Sequence, residues 1–467
     1  MHEEHKRKEE KELIRKYEAF LKNKENHYFD EEVFVQIISY YSNREKFQQA
    51  LKAADVGLDQ FPFSVDLTIE KADVLVKMDR GGEAIDLLEY TLNVQPNDPE
   101  LLMQKGSVHC VLQEFEQAIE CFESAVQNVE EKDEVYFNIG MAYQGLGKYM
   151  EAAEQYKKAI EINMLNENVL YELAYCLDVS GELESSLSYY QKFIDQDPYS
   201  EYAWYNIGIV QNKLGRYDDA VDSYEFATAI DEEFSSAWFN MGNALMNAGK
   251  FDQALAAYLK TFDLEGASPE TFCHMAAAYE KLEQFELAIK YYQKATKLDQ
   301  MYHEAWYGLG ICLALQEKWY EAIHFLNKAL KLSPESAVYW KAVADAEYKT
   351  GNLVSALDAY AEASEMDSEN PEVWLDWSFV YYEQGDYEKA ISILESGLDE
   401  CPSNAEMYYR GVVYMIGSGN YKSAINRLET ALMLDYEGHK TLFDFFPNLP
   451  TQKALYRIID QFRKDED

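Results

Sequence analysis

A spacing of 34 residues constrains this chain more than any other feature. Stepping by that interval from Ala220 reaches Ala50, Ala84, Ala118, Ala152, Ser186, Ala254, Ala288, Ala322, Ala356, Ala390 and Ala424. Eleven of the twelve positions are Ala, with no insertion or deletion from 31 to 438. Such a period marks stacked supersecondary units, each burying its apolar face only against its neighbours. The clearest copy, 201–234, reads as two helices joined by a glycine turn. Its fixed points are Trp204, Ile207, Gly208, Gly215, Tyr217, Ala220, Tyr224 and Ala227.

Each fixed point has a physical reading. Gly106, Gly140, Ala174, Gly208, Gly242, Ala276, Gly310 and Ala344 keep one position small, so the two helices of a unit approach closely. Gly147, Gly181, Gly215, Gly249, Gly351, Gly385 and Gly419 stand where a left-handed residue closes the first helix. Trp204, Trp238, Trp306, Trp340 and Trp374 share one position and read as core knobs, as do Tyr156, Tyr190, Tyr224, Tyr258, Tyr292 and Tyr360 on the second helices. Pro62 and Pro96 are expected to end the second helices of the first two units. Gly308 and Gly310 lie within a first helix and serve packing, not phosphate binding.

The pattern W-x-x-[IL]-G, then G-x-Y-x-x-A, then Y-x-x-A, resembles the tetratricopeptide repeat. The resemblance implies an all-α, right-handed superhelical solenoid of helix-turn-helix units whose inner face usually grips a protein or peptide. Twelve repeats are expected, in unbroken 34-residue steps from 31–64 to 405–438. Helical caps are expected at 1–30 and 439–467. In the first, Leu13, Ile14, Tyr17, Phe20 and Leu21 form one apolar stripe, and Tyr28 leads toward the first repeat. In the second, Leu442, Phe445 and Phe446 begin a helix that Pro447 and Pro450 break. A last helix from about Thr451 then carries Leu455, Ile458, Ile459 and Phe462 on one face. This division leaves no stretch for a catalytic domain.

The net charge is -42, with 84 Asp and Glu against 42 Lys and Arg. Such a field repels phosphate backbones and anionic lipid heads, which argues against nucleic acid and permits a basic protein partner. No secretion signal opens the chain and no apolar run is long enough for membrane insertion. The six cysteines show neither disulfide nor zinc spacing, and Cys176 and Cys312 take a small core position. These readings point to a cytoplasmic protein. No metal-ligating pair, phosphate loop or catalytic constellation stands out, so neither enzyme activity nor a cofactor is expected.

Function must then be sought on the first helices, which line the concave face in tetratricopeptide arrays. Two places after the tryptophan position stand Asn138, Asn206 and Asn240, interrupted by Glu172; Asn212, Asn243 and Asn247 add nearby amides. An amide both donates to and accepts from a peptide backbone, so it holds an extended chain without reading its sequence. The row is partly similar to the asparagines in the repeat arm of O-linked N-acetylglucosamine transferase, and by that resemblance Asn138, Asn206 and Asn240 would clamp a ligand backbone. Each such bond contributes about 0.5–1.5 kcal/mol, so side-chain pockets must help. Phe137, Tyr171, Tyr205, Phe239, Tyr307 and Tyr409 are candidates, with Tyr175, Tyr348, Phe379 and Tyr382 further along; packing between adjacent first helices is the alternative. Lys341 and Arg410 look isolated, which argues against a carboxylate clamp. The expected function is a non-enzymatic scaffold holding an extended, neutral-to-basic protein segment near repeats four to seven. Its rival is an assembly subunit that docks on a folded partner, or on itself, through the convex face or caps. A regulatory arm of a glycosyltransferase is a third option.

Overall fold

The computed structural model describes residues 2–23, 29–440, 442 and 453–462. Helices make up the architecture, and no strand occurs among the described residues. The chain divides into two compact units, Met1–Glu232 and Glu233–Asp467. In the first unit, helix α1 (His2–Asn23) precedes the pairs α2 (Glu31–Ser42) and α3 (Phe47–Gln60), α4 (Val65–Lys77) and α5 (Gly81–Leu92), and α6 (Pro99–Val111) and α7 (Phe115–Val126). They are followed by α8 (Asp133–Gly145) and α9 (Tyr149–Ile162), α10 (Glu167–Val179) and α11 (Ser186–Gln196), and α12 (Glu201–Lys213) and α13 (Tyr217–Ile230). The second unit pairs α14 (Ser235–Asn247) with α15 (Phe251–Glu265), α16 (Pro269–Lys281) with α17 (Phe285–Leu298), and α18 (His303–Leu315) with α19 (Trp319–Leu332). It continues through α20 (Ala337–Lys349) and α21 (Leu353–Met366), α22 (Pro371–Glu383) and α23 (Tyr387–Glu400), α24 (Ala405–Gly417) and α25 (Tyr421–Leu434), and α26 (Lys453–Gln461).

Local chemistry sets the helix ends. Ser64, Asp98, Asn166, Ser200, Ser268 and Asn404, each the last residue before a first helix, accept a hydrogen bond from the amide three residues on. That bond satisfies one of the otherwise unpaired amides of a helix start. Between the two helices of a pair, one residue adopts the left-handed conformation, and the next amide reaches back over it, as in Lys148 to Tyr143 O at 3.0 Å and Arg216 to Gln211 O at 2.9 Å. All seven predicted turn glycines do this, with φ from 72° to 83°. Where the turn lacks glycine, Glu45, Asp79, Gln113, Glu283 and Glu317 take the same conformation at φ 57–61°.

The core follows the period. Every anchoring Ala is fully enclosed, and Ser186 nearly so. The Ser186 hydroxyl donates to Leu183 O at 2.7 Å, and a 3₁₀ turn at Leu183–Ser185 opens that second helix. A Cβ added to Gly140 would lie 2.5 Å from the Tyr156 ring, and one added to Gly242 would lie 2.4 Å from Tyr258. Gly308 and Gly310 are equally tight, against Tyr292 and Leu326.

The tryptophans differ in burial. Trp374 is buried, but Trp204, Trp238, Trp306 and Trp340 are half-buried. In the buried and half-buried copies alike, the indole N–H donates to the carbonyl six residues earlier, as in Trp204 to Pro198 O at 3.0 Å, Trp340 to Pro334 O at 2.8 Å and Trp374 to Ser368 O at 2.9 Å. The bond ties the ring edge to the connection from the preceding pair. Tyr408 holds the same position in α24, and its hydroxyl makes the same bond to Pro402 O at 3.2 Å. Proline placement also differs: α5 ends at Leu92, before Pro96 is reached, and turn hydrogen bonds from Val94 and Gln95 to Thr91 O close it.

At the start, α1 buries Ile14 and Tyr17 against Phe29 and Phe34. Near the far end, α26 places Leu455 and Ile459 in the cluster that holds Leu428 and Leu432. Tyr28, Phe445, Phe446, Pro447, Pro450 and Thr451 lie outside the described residues.

Candidate functional site

In the first unit, three of the predicted residues meet. Tyr171 and Tyr175 on α10 are 54% and 42% exposed, the Tyr175 ring meeting Tyr149 edge-on at 6.0 Å and keeping its other face open. Together with Asn206 on α12 they line a hollow of about 130 Å³, bordered by the ion pair between Lys213 and Asp178. Asn138 lies elsewhere, beside a hollow of about 460 Å³ whose lining includes Met103, Val129 and four glutamates: Glu100, Glu130, Glu131 and Glu134. Phe137 and Tyr205 are half-buried and pack on the tyrosines of their own pairs, 5.8 Å from Tyr156 and 5.9 Å from Tyr224 between ring centres. The Asn212 side-chain oxygen is enclosed without a hydrogen-bond partner. Glu172, which interrupts the amide row, accepts from Gln144 at 3.0 Å, and Gln144 in turn accepts from the Tyr156 hydroxyl at 2.7 Å.

In the second unit, Phe239 and Asn240 on α14 are half-buried. The Phe239 ring meets His274 edge-on at 4.9 Å. Burial lowers the basicity of that imidazole, outweighing Glu270 and Glu304. The Asn243 oxygen accepts from the buried Tyr258 hydroxyl at 2.7 Å, which leaves its amino group for a ligand. Asn247, in the last turn of α14, is exposed. Tyr307 stacks on Tyr339 at 4.7 Å. Tyr409 is no pocket residue: it is 1% exposed and its hydroxyl donates to Asp435 O at 2.5 Å, because it covers the turn that follows α25.

Another hollow, of about 660 Å³, takes in three of the rings expected to form pockets, Tyr307, Tyr348 and Phe379. It lies along α18, α20 and α22, with Tyr307, Ile311 and Leu315 on the first and Glu372, Asp376 and Phe379 on the last. Lys341 is not isolated there. Its ammonium lies 2.8 Å from Asp376, 3.2 Å from Asp345 and 3.8 Å from Glu372. Burial works against that charge, but Asp345 and Asp376 outweigh it and hold the amine above its ordinary range. Asp345 also accepts from the Tyr360 hydroxyl at 2.5 Å; burial raises its carboxyl despite Lys341. The signal was present in the i,i+4 spacing of Lys341 and Asp345 and in Asp376, one repeat and one residue further on. Arg410 likewise pairs, with Glu406 at 3.3 Å.

These hollows offer rings, amides and carboxylates, a chemistry of binding. Among the described residues no group of His, Cys, Asp or Glu is arranged to hold a metal ion. Burial, with Glu172 adding to it, pushes the Cys176 thiol up to about 11; burial and then Glu304 push Cys273 up to about 12. Neither has the lowered pKa of an activated nucleophile. No helix among the described residues is long and apolar enough to cross a membrane.

Family models of the tetratricopeptide repeat match residues 134–163, 201–234, 235–266, 275–337 and 348–412. No curated protein matches the sequence. Among solved structures, the chain is similar to one from the APC/C hetero-tetramer Cut9–Hcn1, at 16% identity over 85% of this chain and 96% of that one, with a TM-score of 0.42. It is similar to MamA at 20% identity over 37% of this chain and 94% of that one, with a TM-score of 0.32. It is also similar to YrrB, described as a TPR protein with an unusual peptide-binding site, at 20% identity over 39% and 95%, with a TM-score of 0.32. The repeated helix pairs, the glycine–tyrosine contacts inside them and the family matches together establish this chain as a tetratricopeptide-repeat protein.

Proposed function

We propose that this chain is a non-enzymatic scaffold that holds an extended, neutral-to-basic segment of another protein against its first helices. Tetratricopeptide repeats are in general non-catalytic modules of protein–protein interaction, and the finer reading concerns which surface acts and on what. Repeats between 31 and 438 form the binding array, and the segments 1–30 and 439–467 cover its ends. The observation that carries the reading is the hollow between α10 and α12, where Tyr171 and Tyr175 stand open beside Asn206. The amide serves the ligand backbone and the rings take its side chains. Asn138, Asn240 and Asn247 extend the supply of amides, and Asn212 and Asn243 add amino groups. A net charge of -42 favours a basic segment and disfavours nucleic acid. The setting that suits this reading is the cytoplasm.

One observation favours docking through the second helices instead. Tyr320 on α19 and Val354 on α21 stand one repeat apart and are 79% and 71% exposed. A co-purified partner titrated against Asn206→Ala/Tyr175→Ala separates the two. The scaffold reading predicts about tenfold weaker binding with helicity unchanged, and binding that falls as salt rises. Unaltered affinity together with salt-independent binding contradicts it.

A further inference from the structure

We propose that the hollow along α18, α20 and α22 is a recognition site for a peptide segment carrying a lysine or arginine next to an apolar residue. This rests on the scaffold reading but uses neither Asn206 nor the first unit. The two sides of the hollow differ in kind. α18 contributes only uncharged side chains, including Ile311 and Leu315, and Val338 on α20 and Trp319 on α19 extend this apolar side. Leu315 and Val338 are 55% and 54% exposed, so this surface is wet until something covers it.

The facing side is acidic beyond its own needs. Asp345, Glu372 and Asp376 converge on the single ammonium of Lys341. Lys349 also lines the hollow, and nearby Glu383 accepts from the Tyr348 hydroxyl. Lys341 is satisfied at 2.8 Å by Asp376 and at 3.2 Å by Asp345, so Glu372, at 3.8 Å and with its side chain 74% exposed, retains charge for an incoming cation. A second copy of this chain is a poor occupant, because each copy carries -42. An extended peptide presents alternate side chains to opposite sides, which matches an apolar wall across from a carboxylate wall.

The test is fluorescence anisotropy of the full chain with a fluorescein-labelled decapeptide of alternating arginine and leucine at near-physiological salt. Glu372→Lys is expected to weaken binding about tenfold, and Leu315→Ser to weaken it measurably. Both side chains are exposed, and circular dichroism checks that helicity is kept. Glu286→Lys on α17, the same charge change outside the hollow, is expected to leave binding unchanged. Equal weakening by Glu286→Lys assigns binding to the general acidic field and overturns the site. So does full binding by Glu372→Lys and Leu315→Ser, or the absence of saturable binding. If Asn206→Ala alone weakens the complex, this site falls and the first-unit hollow stands.

Discussion

Gly140 sets the spacing of its helix pair by what it lacks. A methyl group there meets the fully buried Tyr156 ring at 2.5 Å, and that ring is tied through its hydroxyl to Gln144. Gly140→Ala is expected to destabilise the protein by about 1–3 kcal/mol in urea unfolding. Adding Tyr156→Leu should cost less than the sum of the two changes, since the clash partner is gone. The glycine and tyrosine were legible because the period aligns them in unit after unit. The partner of the tyrosine hydroxyl was not: it is Gln144, Asn243, Glu280 or Asp345, at two different offsets along the first helix. A single hydrogen bond tolerates several donors and acceptors, so the pattern does not repeat in sequence. Cys176 gives a pH test. Its thiol is raised from 9.0 to about 11, so its contribution to stability is full below about pH 8.5 and is lost as pH climbs through 11. Wild type is therefore expected to lose more stability than Cys176→Val between about pH 8 and pH 11, read as the urea midpoint. Parallel losses contradict that.

At the scale of elements, the connection within each helix pair depends on one left-handed residue. Glu317, between α18 and α19, adopts φ 58° despite its side chain. An L-residue there costs about 1–2 kcal/mol relative to glycine, offset in part by glycine's greater freedom when unfolded. Glu317→Gly is expected to raise stability by about 1 kcal/mol, and Gly249→Ala, at φ 73° in open space, to lower it by a similar amount. Thermal melts of the two variants check both signs. Seven such turns could be read from glycine itself; Glu45, Asp79, Gln113, Glu283 and Glu317 could not, since the stacking of the pair, not their own preference, imposes the conformation. The end of α5 at Leu92 is similar. Proline forbids a helix from continuing but does not require it to reach that far, and Pro96 overstated the length.

At the scale of the molecule, what repeats is the interior, and what binds is free to vary. That is why the helix pairs follow from a 34-residue step while the hollows do not. Lys341 looked isolated along the sequence because its partners Glu372 and Asp376 sit on the next first helix. Asn138, Asn206 and Asn240 looked like one row, yet Asn138 and Asn206 border different hollows, and Asn240 belongs to the second unit. The rings at Phe137, Tyr205 and Tyr307 share a position with Tyr171 but pack on neighbouring tyrosines, while Tyr171 and Tyr175 are more exposed, Tyr175 meeting Tyr149 edge-on at 6.0 Å. The central claim is that first helices, not second helices, hold an extended basic segment. The most direct measurement places the photo-crosslinker benzoylphenylalanine at Tyr175 on α10 or at Val354 on α21, then maps the cross-linked residues of the purified partner by mass spectrometry. The account predicts cross-links from position 175 to one contiguous stretch rich in lysine and arginine, and few from position 354. Cross-links from position 354 to scattered residues of a folded domain, with position 175 silent, would contradict it.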